Sequence, residues 1–126
     1  MHPYLVLKTF HVAGVILAFV GVAGLAAHAA SGGTKAENRA FGLLTALHGA
    51  GLLVAIVCGL GMLYLVMRGP AMPSPAWATA KLVLWVLLAG AAMVPYRRPS
   101  QARPLLALGL PLLVLVGAAV AVLKPF

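Results

Sequence analysis

Four side chains in the hydrophobic segments of this sequence are candidates to ligate a metal or move a proton, and these are His11, His28, His48 and Lys81. Each lies within a long hydrophobic segment or at the end of one. A charged group at the centre of a bilayer costs at least about 2.5–3.5 kcal/mol, so an ionisable residue in such a segment is a candidate functional residue. Imidazole is a common axial ligand of haem iron, and helical bundles build cofactor sites between facing helices.

His11 and Lys81 are predicted to lie at a similar depth in the membrane. At about 1.5 Å per residue, His11 lies roughly 12 Å from an entry point near Pro3, and Lys81 lies roughly 9 Å from one near Pro75. Both segments enter from the same side in a chain that crosses four times. We therefore predict that His11 ligates haem iron, with Lys81 as the second ligand or as the contact to a porphyrin carboxylate.

The other polar side chains in these segments have simpler explanations beside the functional ones. His48 either ligates the iron in place of Lys81, in a site between the first two segments, or donates to a backbone carbonyl of a neighbouring helix. His28 lies close to the interface, where we expect water to solvate it. Lys8 lies near the opposite edge, and its long stem is expected to carry the ammonium to the interface.

The composition indicates which elements must position these side chains. Hydrophobic residues make up 63% of the 126 residues and charged residues 8%, and the mean hydropathy is +1.09, too apolar for a soluble domain of this length. Lipid cannot form hydrogen bonds with exposed backbone N–H and C=O groups, so a membrane-spanning chain must be helical or a closed β-barrel. The sequence lacks the alternation of apolar and polar residues that is typical of barrel strands. The sequence predicts an all-α integral membrane protein, an up-down-up-down four-transmembrane-helix bundle forming a single membrane domain, residues 1–126. The predicted helices cover about residues 4–30, 41–66, 77–95 and 105–123.

Proline and hydrophobic length define these segments further. Pro70, Pro73 and Pro75 exclude a continuous helix between the second and third segments, and Pro111 predicts a kink or weakened hydrogen bonding in the fourth. The first segment is too long for the apolar region of a signal peptide, so we expect it to be retained. The single cysteine, Cys58, excludes an internal disulfide and is expected to be a small buried side chain.

The charge of +8 is concentrated at the ends of the segments, which indicates a membrane surface and not nucleic acid as the partner. Five cations fall in the first and third loops, against three on the opposite side. By the positive-inside rule both termini lie outside the cytoplasm, on the periplasmic side of a bacterial inner membrane. The five are Lys35, Arg39, Arg97, Arg98 and Arg103, and the three are Lys8, Arg68 and Lys124.

Three stretches resemble one family. LKTFHV in the first segment, WATAKLVLWVLL in the third and the terminal VLKPF are similar in order and spacing to segments of HemJ, a membrane protoporphyrinogen IX oxidase. The resemblance implies b-type haem and the oxidation of protoporphyrinogen IX to protoporphyrin IX. It also implies that the essential histidine and lysine of that family correspond to His11 and Lys81, the lysine being catalytic.

The chain departs from the family where AGAAM ends the third segment without a further histidine and where RPSQARPLL precedes the fourth without an acid. Glu37 is the only acidic residue, so no general-base carboxylate is present and oxidase activity is left open.

Two other functions fit the composition. One is a non-catalytic small subunit of a larger respiratory or electron-transfer complex, or a homo-oligomer. The other is a small transporter or metal-handling protein that uses His11, His48 and the methionines.

Overall fold

The computed structural model describes residues 2–69 and 75–123, apart from the side chain of Pro75, and these residues are almost entirely helical with no strand among them. The loop residues Pro70 and Pro73 and the terminal Lys124 lie outside the described residues. The helices are α1 (Pro3–Ala30), α2 (Phe41–Met67), α3 (Pro75–Ala91), the short α4 (Val94–Arg97) and α5 (Pro99–Leu123), with a 3₁₀ turn at Lys35–Glu37 in the first loop.

Prolines explain where the later helices depart from the sequence-based prediction. The third predicted segment extended to about residue 95, but α3 ends at Ala91, because Pro95 has no N–H to donate to the Ala91 carbonyl. Pro111 likewise leaves the carbonyl one turn before it without its usual donor. The backbone there widens into a π segment at Leu105–Gly109 before regular α-helix resumes over Leu110–Leu123.

The predicted all-helical fold is confirmed, and three of the helices are long and apolar enough to cross a membrane. These are α1, α2 and α5, whereas the apolar part of α3, Ala76–Ala91, is shorter. That four helices cross a membrane stays a prediction.

The most extensive helix contact is between α1 and α2, which run antiparallel. Glycines allow their backbones to approach closely. A Cβ added at Gly14 would lie 2.7 Å from the Gly51 carbonyl oxygen, and one added at Gly21 would lie 2.5 Å from that of Leu44. Glycine is therefore required here for close approach, as in tightly packed membrane helices.

The helices α1, α2, α3 and α5 share one core, while their outer faces remain apolar. Large aliphatic side chains on those faces are strongly exposed, such as Leu43 (65%) and Leu115 (66%). Exposed apolar area of this extent is what a membrane-facing surface requires. The buried core cluster contains Ala18, Val22, Leu52, Leu88, Ala91 and Leu110.

Candidate functional site

His48 lies deep in the contact between α1 and α2, with only 5% of its surface exposed. Its Nδ1–H donates to the Ala18 carbonyl oxygen at 2.8 Å, because a carbonyl can only accept. The other ring nitrogen, Nε2, is buried and has no hydrogen-bond partner. In the neutral ring this Nε2 carries a lone pair, so it is available to accept a proton or to ligate a metal.

His11 makes the corresponding bond from the other helix. Its Nδ1–H donates to the Ala55 carbonyl oxygen at 2.6 Å. The half-buried ring covers Gly59, where an added Cβ would lie 3.2 Å from two ring atoms. Each imidazole thus has Nδ1 committed to a backbone carbonyl, which is the arrangement that orients many metal-ligating histidines through Nε2.

The two bonds are reciprocal because the sequence contains a repeat, which was not among the predicted features. Residues 11–18 read HVAGVILA and residues 48–55 read HGAGLLVA, so the histidine, first alanine, glycine and last alanine recur at the same spacing. In an antiparallel pair, each histidine then meets the alanine that ends the other repeat. A search for self-similarity at an offset of 37 residues (48 minus 11) would have found the pair.

The two imidazoles are not placed to bind one iron together. The bond from His11 reaches α2 at Ala55, seven residues beyond His48, which corresponds to roughly 10 Å along the helix. Two nitrogens that ligate one metal lie about 4 Å apart, given metal–imidazole bonds of about 2 Å. The described residues also contain no group of three or more His, Cys, Asp or Glu that could hold a metal ion. One metal ion could therefore be ligated by His11 or by His48, but not by both together.

Lys81 has different neighbours from His11. Its ammonium lies 3.8 Å from the centre of the Trp77 ring, one turn earlier on α3. A cation over an aromatic face is attracted by the ring electrons. The predicted pairing of His11 with Lys81 across a cofactor stays a prediction.

His28 differs from the solvated residue that we expected from its position. It is half-buried, and its Nδ1 is hydrogen-bonded to the Tyr96 hydroxyl at 2.7 Å. The same hydroxyl accepts from the Asn38 side-chain amide at 2.8 Å. Tyr96 lies 68 residues from His28 in the sequence, so only the packing of the two loops brings its hydroxyl to the ring.

Glu37 serves a structural role in the first loop. Its carboxylate accepts from the Thr34 hydroxyl at 2.6 Å and from the Thr34 backbone N–H at 3.2 Å. These bonds favour the charged form and hold the pKa of the carboxyl below its ordinary value of 4.5. Glu37 is thus engaged in a capping box outside the apolar helices.

The fold and the histidine geometry define an all-helical protein with membrane-length helices and two carbonyl-bound imidazoles. Comparison with protein-family models, curated proteins and solved structures finds no match to the chain. The resemblance to HemJ therefore stays a prediction based on the three short stretches.

Proposed function

We propose that this chain is an integral protein of the bacterial inner membrane, with α1, α2, α3 and α5 crossing the bilayer and both termini in the periplasm. Support comes from the three long apolar helices and their exposed apolar faces. The 17 residues of α3 extend for about 25 Å, somewhat less than the roughly 30 Å of a hydrocarbon core, a mismatch that local thinning can accommodate. The excess of cations in the first and third loops favours the stated orientation.

We further propose that the protein binds haem b through Nε2 of His48 or of His11. The buried, unpartnered Nε2 of His48 carries this proposal. Leaving a buried polar atom unsatisfied costs about 1–3 kcal/mol, so a ligand at this atom removes a penalty that the helix pair otherwise bears. The bonds from Nδ1 to Ala18 and Ala55 would fix the ring orientation and present Nε2 as the ligating atom. When bound, haem supplies one-electron transfer.

The proposed substrate is a porphyrinogen, by the resemblance of LKTFHV and WATAKLVLWVLL to HemJ. Lys81 would contact a carboxylate of the porphyrin, as its ammonium over Trp77 favours. The catalytic role of Lys81 is thus to bind and orient the substrate. A buried acid is not part of this proposal, since Glu37 is the only acidic residue and it lies in the first loop.

An absorption spectrum of the full chain, purified from haem-replete cells, tests haem binding. We expect a Soret band that is lost in His48→Ala if His48 ligates the iron, or in His11→Ala if His11 does. His28→Ala is the matched control, because its ring bonds to Tyr96 and not to the α1–α2 contact. Circular dichroism shows whether each variant retains its helices.

A colourless wild-type protein would contradict the proposal, as would a Soret band that survives both His48→Ala and His11→Ala. If haem is bound, oxidation of protoporphyrinogen IX by purified protein tests the activity, with an added quinone as the acceptor of the substrate's electrons. Lys81→Ala should then lower the rate, whereas Lys8→Ala, which removes an exposed ammonium, should not.

The second candidate is a non-catalytic small subunit of a larger membrane complex. One observation favours it: both imidazoles already stabilise the α1–α2 pair through bonds to carbonyls, so their presence does not require a cofactor. This function predicts a colourless protein that co-purifies with other membrane subunits under mild detergent. Loss of both histidines would then loosen the helix pair without changing any spectrum.

A further inference from the structure

A cleft of about 540 Å³ opens where the first loop meets the end of α3. Apolar residues, including Ala29 and Met93, form what we call the apolar floor of the cleft. Polar and charged groups from the first loop and from the segment after α3 complete its lining. The cleft lies at the end of the molecule that carries five of the nine Lys and Arg residues. The lining residues with functional groups are Thr34, Lys35, Tyr96 and Arg97.

The positive charge of the cleft has no acidic partner within the part of the chain that the structure describes. Lys35 and Arg97 both line it, and no ion pair to either occurs among the described residues. Glu37, the only acidic side chain in the sequence, accepts from the hydroxyl and the backbone of Thr34. With two cations in its lining and one carboxylate bonded to Thr34, the cleft keeps a net positive field.

The wall behind these cations is held in place by hydrogen bonds. The Tyr96 hydroxyl is hydrogen-bonded to His28 at the end of α1 and accepts from Asn38 in the first loop. Its ring also meets Phe41 edge to face, at 6.0 Å between centroids, and the Lys35 ammonium lies 4.7 Å above that Phe41 ring. The cleft is thus a preformed space, with one cation positioned over an aromatic side chain at its rim.

We propose that this cleft binds the phosphate group of an anionic ligand, with Lys35 and Arg97 as the charged contacts. An arginine fork and a lysine ammonium are the usual partners of phosphate oxygens. The apolar floor beside them fits a phosphate that carries a hydrophobic chain, as an anionic lipid does. The proposal goes beyond haem binding, because it involves neither His11 nor His48.

Titration of the full chain in a neutral detergent with short-chain phosphatidylglycerol tests the site, with thermal stability and native mass spectrometry as the readouts. We expect one lipid bound per chain and a raised melting temperature. Phosphatidylcholine, which has no net charge, should bind less tightly. Removing both cations in Lys35→Gln/Arg97→Gln should weaken binding about fivefold for each charge, roughly 25-fold in total.

The matched control is Arg39→Gln/Arg103→Gln, which removes two exposed charges from the same end without altering the cleft lining. It should leave the affinity within about twofold of the unmodified chain. If inorganic phosphate displaces phosphatidylglycerol, the site recognises the phosphate group alone. If it does not, the site also requires the lipid chains. Equal weakening in the two double variants, or equal binding of the two lipids, overturns the proposal.

Discussion

The two helical hairpins of this molecule are held together by different chemistry. In the α1–α2 pair, glycines of each helix lie directly against backbone atoms of the other. Two imidazoles also donate hydrogen bonds to carbonyls of the opposite helix. In the α3–α5 pair, Gly90 and Gly117 face open space instead. There the Trp77 indole N–H donates to the Val120 carbonyl at 3.0 Å. The indole of Trp85 makes the equivalent bond from α3 to Leu52 of α2, also at 3.0 Å.

The difference shows how helix separation determines which side chains can connect two helices. Apolar helices in lipid gain little hydrophobic free energy by pairing, so packing and interhelical hydrogen bonds must hold them together. Where glycines allow close approach, an imidazole on one helix reaches the backbone of the other. Between α3 and its neighbours, where close backbone approaches are few, the longer indole makes the connection. We therefore expect α1–α2 to be the more rigid pair and α3 to be the helix that separates more readily.

The largest effect is predicted for Gly51→Ala, which would break the close α1–α2 contact. The added Cβ would lie 2.5 Å from the Ala18 nitrogen and from the Gly14 carbonyl oxygen. Backbone atoms cannot move aside as a flexible side chain can. We expect a loss of about 1–3 kcal/mol in the free energy of unfolding. Denaturation in mixed micelles followed by circular dichroism measures this loss.

Gly49→Ala is the matched control for that experiment. It makes the same chemical change two residues earlier on α2, where an added Cβ meets nothing within 4 Å. We expect its stability to equal or slightly exceed that of the unmodified protein, since alanine is the better helix former. Equal destabilisation by the two variants would show that helix propensity, and not close approach, governs this pair.

The ends of α1 and α2 could be predicted from the sequence, but the faces on which the helices pack could not. Loop residues and prolines interrupt the apolar segments, so α1 and α2 begin and end within one residue of the predicted bounds. Both helices are apolar on all sides, because core and lipid favour the same side chains. No polar stripe therefore marks the packed face, as it does in a soluble helix.

The same limitation explains what was missed at the candidate site. The rise per residue gives the depth of His11 and Lys81, but the rotation of a helix about its axis decides which neighbour each side chain meets. The structure places the His11 ring against α2 and the Lys81 ammonium over Trp77. The repeated histidine, glycine and alanine spacing was the one signal that linked α1 to α2 in the sequence.

A smaller effect is predicted for Trp85→Phe, which sharpens the contrast between the hairpins. The substitution removes the N–H that donates to Leu52 and keeps an aromatic ring in the core. Interhelical hydrogen bonds in membrane proteins contribute about 0.6 kcal/mol on average, so we expect a loss of that order. Hydrogen exchange should become faster in α3 and stay unchanged in the centre of α1. Faster exchange spread evenly over both hairpins would contradict the idea that the indole anchors α3 in particular.

The smallest effect is predicted in the loop that joins α1 to α2, where Glu37 bonds to Thr34. These bonds lower the pKa of Glu37 in the folded protein, so their contribution is present above the ordinary value of 4.5 and is lost as the pH falls through the lower folded value. We expect the Thr34 amide resonance to shift with a midpoint below 4.5, while amides in the α1–α2 contact do not change. In Glu37→Gln the Thr34 resonance should be independent of pH over this range. A midpoint at or above 4.5 would show that the carboxylate gains nothing from Thr34 and that the loop is ordered by its backbone turns alone.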